Sequence, residues 1–177
     1  MEISRAMTAG RWPLAAAALS LAMLAAAHAF ERLMDLPPCQ LCLRQREIYW
    51  AVLAMAATGL GLWRLKRTPR FLTALNVLIG LVFVTGAVVA FYHVGVEYGW
   101  FPAPPGCAAT LTPAEAARMA LDVGGDLDRA RERVSCTEAP WHFLGLSMAA
   151  WNGLASLGFA AGSFIAAAHT ADGRSAG

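Results

Sequence analysis

Formal charge is what most of this chain does without. No Asp, Glu, Lys or Arg occurs in residues 12–30, 48–63, 71–96 or 140–171. Blocks of that kind exclude an ordinary soluble domain, and the 58% apolar content points the same way, since average chains run at about 45–50%. A helix needs roughly 17–25 apolar residues to cross the hydrocarbon core. Three blocks meet that length, and the second meets it if Tyr49, Trp50 and Trp63 serve as interfacial anchors. Internal repeats and low-complexity linkers are missing too, which leaves no sign of a second domain. Acids are absent from the connection holding Arg64, Lys66, Arg67 and Arg70. So short a basic segment between two apolar blocks is a topology signal, not a nucleic-acid surface.

These shortages define an expected architecture. We read one all-α integral membrane domain over residues 1–177, a four-helix transmembrane bundle. The expected spans are residues 12–30, 46–65, 71–92 and 141–168, with outer loops at 31–45 and 93–140. The positive-inside rule assigns the basic loop, the N-terminus with Arg5 and Arg11, and the tail with Arg174 to the cytoplasm. Arg11, the apolar run after it and Ala27-His28-Ala29 also match a cleavable signal peptide. The helix is expected to be retained, and cleavage would leave the cysteines on the same side. Gly158 and Gly162 are expected to let helices approach closely.

Pro37-Pro38 ends the first helix, because proline has no amide donor and restricts the residue before it. Pro140 and Trp141 are expected to open the fourth. Between them, Thr112-Pro113-Ala114-Glu115 has the form of a helix start, with a hydroxyl N-cap, proline at N1 and glutamate at N3. Short helices are expected from there to about Val123 and over residues 128–133. The proline-rich stretch 101–106 is expected to hold Cys107 extended and accessible.

Only four cysteines are present: Cys39, Cys42, Cys107 and Cys136. Cys39-Gln40-Leu41-Cys42 stands at the mouth of the second span, and the other two fall in one later loop on the same side. Leu43, where a histidine would be needed, excludes the usual c-type haem attachment. The wide interval between Cys107 and Cys136 argues against a zinc site, and no metal is expected. Outside the cytoplasm disulfides persist. Four cysteines allow three connectivities, of which Cys39–Cys42 and Cys107–Cys136 are taken as the resting pairs. Cys42 lies near a helix start, where free amides and the helix dipole favour an anion. Arg46 stands one turn further along the same face and Arg44 adds charge nearby, so the thiolate is expected at Cys42. Glu47 and Glu97 are expected to be interfacial charges.

With these features the chain resembles the bacterial disulfide bond formation protein B (DsbB) family. The likeness covers nearly the whole chain: four spans, Pro38 before the cysteine pair, Arg46 four residues after Cys42, a long second outer loop with the other pair, and the segment from Trp141 to Met148. It implies an inner-membrane thiol oxidase with catalytic Cys39, Cys42, Cys107 and Cys136. In such a relay a reduced DsbA-like thioredoxin-fold protein attacks Cys107–Cys136 and is held at Cys107. Cys136 then attacks Cys39, and Cys42 forms an adduct with ubiquinone or menaquinone drawn from the membrane pool. DsbA is a strong oxidant, so its re-oxidation needs an acceptor at least as oxidising; the sequence has no nucleotide motif to supply one. The resemblance further implies that Arg46 and His93 bind the quinone, although His93 sits one position further from Cys107 than the family pattern, and a histidine there also suits a helix cap. Arg44 and Gln45, the two residues before Arg46, depart from the pattern by adding positive charge where an acid is expected. Two other readings stay open, a vitamin K epoxide reductase-like redox enzyme and a non-enzymatic scaffold stapled by two disulfides.

Overall fold

The structure, a computed structural model, describes residues 2–66, 68–104, 107 and 135–172. Among these, four long helices appear in the order α1 (Glu2–Leu33), α2 (Gln40–Lys66), α3 (Pro69–Glu97) and α4 (Met148–Asp172). Each contains a stretch long and apolar enough to cross a membrane: Arg11–Leu33, Gln40–Leu65, Pro69–Glu97 and Met148–Ala171. The all-α, four-span architecture expected from the charge-free blocks is therefore the one observed. The short helices expected at 112–123 and 128–133 lie outside the described residues.

The bundle is a ring. The α3–α4 interface is the most extensive, α2 lies between α3 and α1, and α1 closes against α4. Large apolar side chains point outward, among them Leu78, Leu81, Val88, Phe91, Leu154, Leu157 and Ile165, while Ser156, Ser163, Asn152 and His93 are buried. Such an inversion suits a lipid solvent, in which outward apolar groups cost nothing and polar groups seek the interior. Outward threonines obey the same constraint. Thr58, Thr73 and Thr85 each donate their hydroxyl to the carbonyl four residues earlier, at 2.7, 3.0 and 3.0 Å. Val52, Ile79 and Phe83 fill the middle of the core with Tyr49, and Phe83 meets Phe159 edge-on at 5.3 Å between ring centres.

Small residues allow the close contacts, although not all of the expected ones. A Cβ on Gly80 would stand 2.8 Å from the Phe164 ring, and one on Gly162 would run into Trp12. Trp12 also donates its indole hydrogen to Ser163 Oγ at 2.8 Å, which pins α1 to α4. Gly158 has nothing within 4 Å, so only Gly162 of the expected pair serves helix packing.

At the end of the bundle that carries the cysteines, the connections are shaped by a few backbone devices. Asp35 turns the chain after α1 with φ 52°. After α3, the amides of Trp100 and Phe101 reach back to the Gly95 carbonyl. Phe101 lies over Gly95, where a Cβ would collide with its ring, and stacks on Tyr92. Helix α4 does not open at Pro140 and Trp141 as expected. Instead β1 (His142–Phe143) and β2 (Leu146–Ser147) form an antiparallel hairpin pairing His142 with Ser147 and Phe143 with Leu146. Its two-residue turn places Leu144 at φ 51° and Gly145 at φ 77°, the left-handed pair that a tight hairpin turn requires. Ser147 then accepts the Ala150 amide at 3.2 Å and caps α4.

Substituting Gly80→Leu is expected to destabilise the bundle by about 1–3 kcal/mol through overpacking. Gly158→Leu, facing open space, should stay within about 0.5 kcal/mol. Unfolding of both variants in detergent micelles checks the contrast.

Candidate redox site at the end of the bundle

Cys39 is the residue immediately before α2, and its sulfur acts as the helix cap. The Cys42 amide donates to Cys39 Sγ at 3.2 Å, the contact that a serine or aspartate oxygen makes at an N-cap. His93 Nε2 lies 3.6 Å from the same sulfur. Cys39 and Cys42 are unbonded with their sulfurs 2.8 Å apart. With the Cys42 amide and His93 both directed at the Cys39 sulfur, the anion is favoured there, and the Cys42 thiol then donates to it. The Cys39 thiol is accordingly held well below its ordinary value, chiefly by the hydrogen bond from Cys42, with His93 and the amide assisting and burial opposing. The sequence directs the anion to Cys42, but α2 begins two residues earlier than Cys42 and its first-turn donors converge on Cys39.

Cys39, Cys42 and His93 bring three donor atoms within 4.8 Å of one another, as a metal site does. Two thiolates on one tetrahedral zinc stand about 3.8 Å apart, given Zn–S bonds of about 2.3 Å. At 2.8 Å the two sulfurs are arranged for each other.

Cys42 packs against the cluster around Cys39 but also reaches a cavity that Cys39 does not line. This cavity, of about 440 Å³ between α1, α2 and α4, is lined by Cys42 together with Arg46, His93, Gln45 and Tyr49. Phe30, Trp141 and Phe143 form an aromatic row along its wall, with ring centres 5.3 Å apart between the first two and 5.8 Å between the last two. Cys39, by contrast, is buried in a cluster with Leu41, Val96, Cys107 and Cys136. Cys107 and Cys136 are bonded to each other and only 1% exposed. Cys107 is thus neither extended nor accessible as expected. Phe101 folds back on Gly95, and the Cys107 amide turns inward to the Pro104 carbonyl at 3.0 Å.

Arg46 shares the cavity with Cys42, as a spacing of four on one helix dictates. Its acidic partner is not the adjacent Glu47 but a residue of α1. Glu31 binds the guanidinium at 2.5 Å, the Ala27 carbonyl accepts a second bond at 3.3 Å, and His28 flanks Glu31 at 3.4 Å. Arg44 is occupied elsewhere, with exposed Glu47 at 3.0 Å.

His93 does not cap α3. Its ring lies in the interior, where Gln45 Nε2 meets Nδ1 at 2.8 Å and Glu97 Oε1 lies 3.7 Å from Nε2. Glu97 is not an interfacial charge either. Its side chain is 8% exposed, and its second oxygen accepts the Ser147 hydroxyl at 2.6 Å. Beyond Gln45 the polar contacts continue. Asn152 Nδ2 donates to Gln45 Oε1 at 2.6 Å, and the Tyr49 phenol donates to Asn152 Oδ1. The sequence did not reveal the roles of Gln45, Tyr49, Glu97 and Asn152. Tyr49, expected as an interfacial anchor, is buried in the core, and Gln45 lies among charged residues; only Asn152, an amide inside a charge-free block, carried the signal of an inward position on a membrane helix.

Ser147→Ala removes both the cap of α4 and a donor to buried Glu97. The expected loss is about 1–2 kcal/mol of stability, measurable by thermal unfolding in detergent. Ser147→Thr should restore most of it.

The family model described as disulfide bond formation protein DsbB matches residues 9–166. No curated protein and no solved structure matches the chain. Four apolar helices make it a multi-pass membrane protein, and a match over most of its length, on a bundle that gathers all four cysteines at one end, shows that the chain belongs to the DsbB family of membrane disulfide bond formation proteins.

Proposed function

We propose that this protein is a quinone-dependent thiol oxidase of the bacterial inner membrane, with both termini cytoplasmic and its cysteines periplasmic. It re-oxidises a DsbA-like thioredoxin-fold protein and so sustains disulfide formation in other proteins. The observation that carries this reading is the division between the two sulfurs of the first pair. Cys42 faces a cavity with Arg46 and His93, while Cys39 joins the cluster that holds Cys107–Cys136.

The cavity fits a quinone. Its volume lies within the range of small-molecule sites, about 300–1,000 Å³, and its wall is apolar apart from a few convergent polar groups. A quinone bound there supplies a two-electron, two-proton acceptor. Arg46, fixed by Glu31, presents a permanent cation toward an oxygen that gains negative charge on reduction. The aromatic wall of Phe30, Trp141 and Phe143 excludes water from that oxygen.

The relay begins with Cys39–Cys42 in its disulfide form. A thiolate of the reduced partner attacks Cys107, forming a mixed disulfide and releasing Cys136. Cys136 attacks Cys39 as the Cys39–Cys42 bond breaks, and Cys42 leaves as a thiolate on the cavity side. The partner's second thiol then displaces Cys107, and Cys107 displaces Cys136 from Cys39, which frees Cys39 to close again on Cys42 once the electrons have passed on. The sum converts one partner dithiol to a disulfide, restores both disulfides of this chain, and delivers two electrons and two protons to the acceptor.

Purified protein mixed with a reduced thioredoxin-fold donor and a soluble quinone should bleach the quinone absorbance. Cys42→Ala should remain folded, abolish that signal and accumulate mixed disulfides with the donor. Arg46→Gln should raise the KM for quinone about tenfold to a hundredfold, matching the roughly 1.5–3 kcal/mol of a hydrogen bond to a charged group. An unbleached quinone with wild-type protein overturns the oxidase. Loss of folding in every cysteine variant would favour a stapled scaffold instead.

A further inference from the structure

We infer that Gln45, Asn152 and Tyr49 are positioning residues that hold His93 with its proton on Nε2, so that the imidazole serves as a fixed hydrogen-bond donor to the Cys39 sulfur. The inference rests on Cys39 being one of the redox cysteines, and it assigns His93 a task at that sulfur in addition to lining the cavity.

Two independent sets of contacts lead to the same tautomer. The first starts at Tyr49, whose phenol has a single hydrogen and gives it to Asn152 Oδ1. The Asn152 amide nitrogen therefore faces Gln45 and donates to Oε1 at 2.6 Å. This leaves the Gln45 amide nitrogen toward His93, where it meets Nδ1 at 2.8 Å. A nitrogen that receives a donor must present its lone pair, so the ring proton belongs on Nε2. The second set lies on the other side of the ring. Nε2 faces Glu97 Oε1 at 3.7 Å and Cys39 Sγ at 3.6 Å. A bare nitrogen there would set its lone pair against a carboxylate, whereas an N–H serves both acceptors.

Ser156 Oγ also stands 3.5 Å from the Tyr49 oxygen, and as donor to it leaves the phenol hydrogen for Asn152. On α2, Cys39 and its ring partner meet the Cys42 thiol and neutral Gln45. On α3 the facing charge is Glu97, tied to Ser147 at the start of α4. From α4, Asn152 contributes only through Gln45. Arg46 lines the same cavity, but its guanidinium is bound by Glu31 of α1 beside His28. Tyr49, Gln45, Asn152 and His93 are all mostly buried, and although they also line the cavity, each is held by its neighbour in the chain. A polar chain held in this way keeps its direction.

Nitrogen NMR of the full chain in lipid nanodiscs, labelled with 15N-histidine, tests this directly, with His93→Gln assigning the signal among the four histidines. The expected result at neutral pH is the Nε2–H tautomer for His93. An Nδ1–H tautomer or a doubly protonated ring overturns the inference without any positioning variant having to fold. A second measurement follows the Cys39 Cβ carbon through a pH titration of the reduced protein. Gln45→Met should move the Cys39 midpoint upward by roughly one to two pH units, about what a hydrogen bond to a charged group is worth. His93→Leu should move it similarly, and the double variant no further, because Gln45 acts through His93. An unmoved midpoint, or additive shifts in the double variant, would also refute the role. Neither measurement involves quinone or partner. An inactive wild-type protein with the Nε2–H tautomer would sink the oxidase reading and leave this one standing.

Discussion

A polar side chain in the hydrocarbon layer has no water to turn to, and its partners must come from the protein itself. This constraint organises the cysteine-bearing end of the bundle. Cys39 receives an amide and an imidazole, the imidazole is met by Gln45 and Glu97, and those two are met in turn by Asn152 and Ser147. The series crosses from α2, with its cap Cys39, to α3, and from both to α4 and its cap Ser147. The polar contacts therefore fix the positions of α2, α3 and α4 relative to one another, in a region where apolar contacts alone would discriminate weakly between alternative rotations of a helix.

Long charge-free runs made the four spans legible, because a helix that crosses lipid must be apolar over its whole length, whatever it packs against. The cysteine pair and Arg46 were legible for a similar reason, since their relation is set by the pitch of one helix. What the sequence did not reveal depends on separate segments meeting. Glu31 reaches Arg46 across the α1–α2 contact, and no local pattern announces that pairing. Glu97 sits at the end of an apolar block, where a carboxylate usually marks the water boundary; here the Ser147 cap folds over it. The hairpin from His142 to Ser147 hid inside a run apolar enough to be taken for the start of a span. Gly145 was its one local sign, and Leu144 at a positive φ gave no warning.

For the proposed oxidase, the arrangement separates two demands that a single sulfur would meet poorly. A thiolate that is strongly stabilised leaves readily but attacks slowly. The cap position and the imidazole serve Cys39, whereas Cys42 stands at the cavity wall within reach of a cation. Two residues of spacing are enough for this division, because the helix begins between them. Cys39 caps α2 from outside, and Cys42 already lies within its first turn.

The 1% exposure of Cys107 and Cys136 has its own consequence. A small thiol such as glutathione gains no contact energy with which to prise open the chain around that bond, but a folded protein docking over the region does. For the thiol oxidase proposed above, shelter of this kind is a customs barrier for electrons, turning away soluble reductants that would drain the oxidised state and admitting carriers large enough to bind.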